Sequence, residues 1–123
     1  MVLYILNALS PSMFSKPSII YIQPISLDYV KKLLKCNTNF VSAVGHQSTA
    51  QLLSQILGVS IKMNRISIQL ENGDLAIIVV LGFRPPEGKI YSKDELEQIT
   101  NKLKFYMATV RQDTYIIREF LTT

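Results

Sequence analysis

Apolar positions along the chain follow two spacings, and the change from one to the other marks the elements. Val2–Leu6 is a short unbroken apolar run ending at Asn7, the signature of a buried strand. Ser10-Pro11-Ser12 and Ser15-Lys16-Pro17 then interrupt regular structure. Ser18–Gln23 is β-branched and aromatic, which predicts a second strand closed by Pro24. From Leu27 the spacing turns helical: Leu27, Val30, Leu33 and Leu34 share a face, Ser26 can cap it, and Asn37-Thr38-Asn39 ends it. Phe40–Val44 leads into Gly45-His46-Gln47-Ser48-Thr49. A second helix follows, with Ala50, Leu53, Ile56 and Leu57 on one face, Gly58 as its stop, and Ser48 or Thr49 as a possible cap.

Arg65–Glu71 alternates, Ile66, Ile68 and Leu70 against Arg65, Ser67 and Gln69. It ends at Asn72-Gly73, a strong hairpin signal. Leu75–Leu81 is continuously apolar, as a central strand covered on both faces is. Pro85-Pro86 stops it. Ser92 opens a third helix from Lys93 to Lys102 with Asp94 and Glu95 in its first turn, and Leu103–Val110 reads as the last strand. The order strand, strand, helix, helix, hairpin, helix, strand predicts an α+β domain. Its sheet is mixed and mainly antiparallel, of about five strands, flanked by helices and not doubly wound. The expected organisation is one compact unit over residues 1–110 and a C-terminal extension over 111–123.

Composition narrows the chemistry. The 123 residues are 48% hydrophobic and 18% charged, enough to build a core and unlike a disordered chain. One cysteine, Cys36, leaves no internal disulfide framework and no multi-cysteine metal site, and the single histidine, His46, argues against a histidine-rich zinc site. The longest apolar run, Leu75–Leu81, falls short of the ~20 residues a spanning helix needs, and no basic residue precedes the apolar start as in a signal peptide. An intracellular protein with a reduced cysteine is expected. Net charge is +4, concentrated in residues 1–65: Lys16, Lys31, Lys32, Lys35, Lys62 and Arg65 stand there against Asp28 alone. That surplus suits a phosphate-bearing ligand as well as it suits a solvated helix face at Lys31–Lys35.

Two arrangements can carry chemistry. In a two-residue Asn72-Gly73 hairpin Arg65 lies opposite Val80. Arg65 and Arg84 then project from one face, roughly 13 Å apart along the strand at ~3.3 Å per residue. Such a pair suits a ligand with several phosphates, or is two unrelated surface arginines. Gly45-His46-Gln47-Ser48-Thr49 enters a helix N-terminus, whose free N–H groups and dipole favour anions. Gly45 lets a ligand approach the backbone, and His46 is placed as a general acid or as an ordinary surface histidine.

Taken in order, Leu3–Ala8, Ala43–Ala50, Gly58, Met63-Asn64-Arg65 and Arg84–Gly88 resemble one family, the viral ring nucleases, type III CRISPR antagonists of archaeal viruses, over residues 2–110. The resemblance implies a homodimeric α/β protein that degrades cyclic tetra-adenylate, with the ring across the dimer interface. No metal or other cofactor, no membrane and no long nucleic acid is implied, and the setting is the cytoplasm of an archaeal host. It also implies that His46 is catalytic and Glu87 an active-site acid. Arg65 and Arg84 bind ligand, Asn7 and Ser10 line the pocket, and Gly45, Gln47, Ser48 and Thr49 form the ligand-facing helix start. Phe83 departs from the family, standing where an amide is usual; it removes a ligand hydrogen bond or replaces it by stacking. The chemistry suits metal-free RNA cleavage, in which the ribose 2′-hydroxyl attacks its own phosphate and leaves a 2′,3′-cyclic phosphate. A basic dimeric nucleic-acid-binding protein without catalysis is the alternative, marked by a steep salt slope on long RNA or DNA.

Overall fold

Four of the predicted strands, with a short one at Val41–Ser42 that the apolar pattern does not single out, assemble into one sheet. In the computed structural model, which describes residues Met1–Thr122, the order is β2-β5-β4-β1-β3. These strands are β1 (Leu3–Leu6), β2 (Ile19–Ile25), β3 (Val41–Ser42), β4 (Leu75–Val80) and β5 (Lys104–Arg111). β4 is central, as its unbroken apolar run requires. It pairs antiparallel with β5 and parallel with β1, which in turn pairs parallel with β3. β2 pairs antiparallel with β5 over seven residues. The sheet is therefore mixed, with the longer ladders antiparallel.

The helices follow their capping chemistry. α1 (Leu27–Cys36) starts at Ser26, whose hydroxyl accepts from Tyr29 N at 3.1 Å. α2 (Gln47–Leu57) stops at Gly58, which adopts φ 70, a conformation that costs glycine no Cβ clash. α3 (Lys93–Thr100) carries a full capping box: Glu95 N donates to Ser92 Oγ, and Ser92 N donates to Glu95 Oε1, each at 3.2 Å. α4 (Thr114–Thr122) follows β5 in the expected C-terminal extension, whose last residue, Thr123, lies outside the described residues.

The two faces of the sheet are covered differently. On one, α1, α2 and α3 pack over Leu3, Ile5, Ile77, Val79, Phe105 and Met107, with Val30, Leu34, Leu52, Leu53 and Leu57 buried between. On the other face, Leu6, Ala76, Ile78, Ala108 and Val110 are covered, among the described residues, without an α-helix. Their cover is extended chain: Leu9, Met13 and Phe14 around a 3-10 turn at Pro11–Met13, and Ile68 with Leu70.

That second cover corrects the expected hairpin. Asn72-Gly73 does turn the chain, with Gly73 at φ 87 and Asp74 N bonded to Glu71 O at 3.0 Å, but Arg65–Glu71 does not pair with β4. Both edges of β4 are taken, by β1 and β5, so 65–71 leaves the plane and crosses the sheet face instead. Its alternation holds at the C-terminal end, where Ile68 and Leu70 are buried against the sheet, but not at Ile66, which is 46% exposed. Leu70 N donates to Met13 O and Gln69 Nε2 to Ser12 O, bonds to the covering segment and not to a strand. A second correction concerns Pro24, which does not close β2: the strand runs on to Ile25, with Pro24 opposite Tyr106. β2 is an edge strand, where a missing N–H facing solvent removes no ladder bond.

Candidate functional site

Parallel strands end side by side, so the residues that follow them are gathered at one edge. Here β1, β3 and β4 are mutually parallel. Asn7 follows β1, Gly45-His46 follows β3 and starts α2, and Gly82–Pro85 follows β4. They meet in a cleft of about 410 Å³ lined by Asn7, His46, Thr49, Val79–Gly82, Phe83, Arg84 and Pro85. One wall is polar, made by Asn7, His46 and Thr49 at the α2 N-terminus. The other is the apolar end of β4 with Phe83 and Arg84 beyond it.

The α2 entrance is held from both sides. Gly45 N donates to Asn7 Oδ1 at 3.4 Å, and Gly45 O accepts from Arg65 Nε at 2.7 Å. The segment carrying Arg65 runs beside β3 through a parallel bridge between Val44 and Met63. Asn64 fixes it there: its N donates to Val44 O and its Nδ2 to Ser42 O, both at 2.8 Å. Ser42 Oγ closes the set by donating to Lys62 O at 2.6 Å. Ser42 and Asn64 thus position the arginine, a role no periodicity signals; the adjacency of Asn64 to Arg65 was the only mark of it in the sequence.

His46 is the N-cap of α2, in extended conformation, and its side chain makes no capping bond. The imidazole is exposed and faces the cleft, and the first-turn amides of α2 are left uncapped by any side chain. Ser48 and Thr49 do not cap the helix, as had been expected of one of them; both lie inside its first turn and are buried, and Thr49 reaches the cleft wall. Gln47 is exposed beside them. Gly45 is not conformationally special: its φ is not positive, and a Cβ there would meet Arg65 Cγ at an ordinary 3.7 Å.

The two arginines arrive by routes other than a shared hairpin. Arg65 comes from the β3 side, tied to Gly45 O, and Arg84 from the loop after β4; His46 lies between the two routes, adjacent to Gly45 and lining the same cleft as Arg84. Because the Arg65 tether uses Nε, its two terminal nitrogens stay available to an anion. Glu87 is exposed three residues beyond Arg84 on the same loop, outside the cleft wall. Ser10 lies elsewhere: it caps the 3-10 turn, contacts Ser12 Oγ at 3.0 Å, and lines a separate hollow with Leu9, Phe14 and Ile20. Among the described residues no three His, Cys, Asp or Glu side chains gather into a set able to hold a metal ion, and no helix is long and apolar enough to cross a membrane.

Residues 3–105 match the model of the STIV B116-like family. The chain belongs to the STIV B116-like family. Its fold superposes on B116 of Sulfolobus turreted icosahedral virus with a TM-score of 0.80 at 26% identity, covering 89% of this chain and 99% of that one. It is 42% identical over 99 residues to uncharacterized protein 26 of Sulfolobus islandicus filamentous virus, covering 79% of this chain and 83% of the relative. It is 36% identical over 110 residues to ORF116 of Acidianus filamentous virus 1, covering 87% and 94%. A bacterial relative, YddF of Bacillus subtilis, is 33% identical over 96 residues, covering 77% and 87%. Relatives of the chain thus occur in archaeal viruses and in a bacterium, and the cleft residues from Asn7 to Pro85 all fall within the span matched by the family model.

Proposed function

We propose that this protein is a metal-independent ring nuclease that cleaves cyclic tetra-adenylate and so blocks type III CRISPR signalling. The observation that carries the reading is the meeting of His46, Asn7, Thr49 and Arg84 in one cleft at an uncapped helix N-terminus, with Arg65 tied to the adjoining backbone. RNA cleavage of this kind needs no external nucleophile. The ribose 2′-oxygen forms a bond to its neighbouring phosphorus as the bond to the 5′-oxygen breaks. The 2′-hydroxyl proton leaves to a base on the open side of the cleft, the part we assign to Glu87, and His46 gives a proton to the departing 5′-oxygen. Arg65, Arg84 and the α2 amides neutralise charge on the phosphorane oxygens. One such cut opens the ring, and a second at the opposite phosphate leaves two linear di-adenylates, each with a 5′-hydroxyl and a 2′,3′-cyclic phosphate end.

The same reading requires two copies. Clefts of about 300–1,000 Å³ accommodate one drug-sized ligand, so a 410 Å³ cleft takes part of a four-nucleotide ring and not all of it. A two-fold ring calls for a two-fold site, with a His46 from each protomer at opposite phosphates. Incubation with labelled cyclic tetra-adenylate in excess EDTA tests the activity, and light scattering with and without the ring tests the dimer. Linear di-adenylate from a dimer is the expected result. An intact ring together with tight, steeply salt-dependent binding of long RNA or DNA favours the non-catalytic binder instead.

A further inference from the structure

We infer that Phe83 is a base-stacking platform, so that the cleft reads a nucleobase on its β4 side and a phosphate on its α2 side. The inference rests on the nucleotide reading of this cleft and adds a specificity determinant to it. Phe83 is 39% exposed, yet it belongs to the wall of a cleft and does not stand alone on an open surface. An aromatic ring that accessible at a cleft wall can take a planar partner, and every nucleobase offers a π-face.

The surroundings of Phe83 favour a flat apolar ligand group. Its wall continues through Leu81 to Val80, itself 44% exposed, with Val79 buried behind. Pro85, on the far side, is buried and gives the loop a fixed point. Gly82 precedes Phe83 at φ 76, a conformation that turns the chain sharply off the end of β4. Phe83 and its neighbour Arg84 both line the cleft as a result. Opposite stand the hydrogen-bonding groups, Asn7, His46 and Thr49. A mononucleotide matches this division, with its base against Phe83 and its phosphate between Arg84 and the start of α2.

Mononucleotide probes test the platform separately from catalysis. The wild-type protein is titrated with 5′-AMP and with ribose 5-phosphate, which carries the same phosphate and no base, following amide shifts by NMR. 5′-AMP is expected to bind more tightly. Phe83→Ala is expected to weaken 5′-AMP by roughly five- to 150-fold, the range for one lost base–aromatic stack, and to leave ribose 5-phosphate unchanged. Phe83→Tyr is expected to keep the difference. Retention of the wild-type preference by Phe83→Ala, or no preference for 5′-AMP in the wild type, overturns the platform. Failure to cleave cyclic tetra-adenylate in EDTA overturns the ring-nuclease reading and leaves this outcome unaffected, so the two can be told apart.

Discussion

Arg65 offers the sharpest test of the site, because its structural and ligand-binding parts are separable. Arg65→Ala removes one internal hydrogen bond, from Nε to Gly45 O at 2.7 Å. Arg65 is exposed, so water replaces it at the carbonyl, and the stability loss belongs at the low end of about 0.5–1.5 kcal/mol. The ligand-side loss is larger. Each charged hydrogen bond from the terminal nitrogens to phosphate contributes about 1.5–3 kcal/mol, roughly a 10- to 150-fold loss of affinity. Removing one phosphate contact also flattens the salt dependence of binding. Arg65→Lys keeps the charge but lacks the planar fork that bonds Gly45 O through Nε and leaves two nitrogens for a bidentate phosphate contact, so it falls between the two. The assay is fluorescence anisotropy with labelled cyclic tetra-adenylate over a salt series, comparing Arg65 with Arg65→Ala in a His46→Ala background that binds the ring without turning it over, beside thermal unfolding of the same samples. Wild-type affinity and salt slope in Arg65→Ala would refute the argument. Equal losses of stability and affinity would reduce Arg65 to a brace for the α2 entrance.

His46→Ala leaves the core intact, since the imidazole is exposed and caps nothing; ring turnover should fall 10²–10⁴-fold, as loss of a general acid does, with binding much less affected, measured as single-turnover rate against affinity. Asp74 is 4% exposed and accepts from Val2 N and Glu71 N, each at 2.9 Å, so Asp74→Ala should lower unfolding free energy by about 2–4 kcal/mol in urea titration while the cleft keeps its chemistry. The Glu95 carboxyl is held below its ordinary 4.5 first by the hydrogen bond from Lys89 and then by the Ser92 amide. Its stabilisation is therefore present above that value and lost as pH falls through the lowered one, and Glu95→Gln should flatten the acid side of the stability curve relative to wild type.

Helices were the most legible part of the fold, because their signals are local. Ser26, Gly58 and the Ser92–Glu95 box lie within a few residues of what they terminate, and each does in the structure what its position implies. Arg65–Glu71 shows the limit. Alternation records that one side of an extended segment is buried; it says nothing of whether the segment's own amides pair with a strand. Ile68 and Leu70 satisfy the first condition by lying on the sheet, not in it. The competition for the edges of β4 is non-local, settled by residues some 70 positions upstream in β1 and 30 downstream in β5. The start of α2 at Gln47 was readable for the same local reason as the caps. That Arg84 and Asn7 share its cleft depends on the sheet order and was supplied by resemblance alone; the same resemblance also put Ser10 there, and the structure sets Ser10 in a separate hollow instead.

The mixed sheet explains why the site residues are so dispersed in sequence. In an antiparallel sheet neighbouring strands end at opposite edges, and the loops that follow them separate. Had 65–71 paired with β4 as a hairpin, Arg65 would have stood on a strand face with no path to the helix start. The parallel set β4-β1-β3 instead brings three chain exits to one edge, and α2 begins from one of them. Each exit adds a different capacity: an amide from Asn7, an imidazole and free helix amides from His46 onward, and an aromatic and a guanidinium from Phe83 and Arg84. The antiparallel strands serve another end. β5 returns beside β4 with Lys104 opposite Val80, and β2 closes the far edge, so that part of the sheet builds core and brings no strand exit to the cleft. The candidate cleft sits where the strands run parallel, and the antiparallel ladders supply the breadth of sheet that keeps those three exits in register.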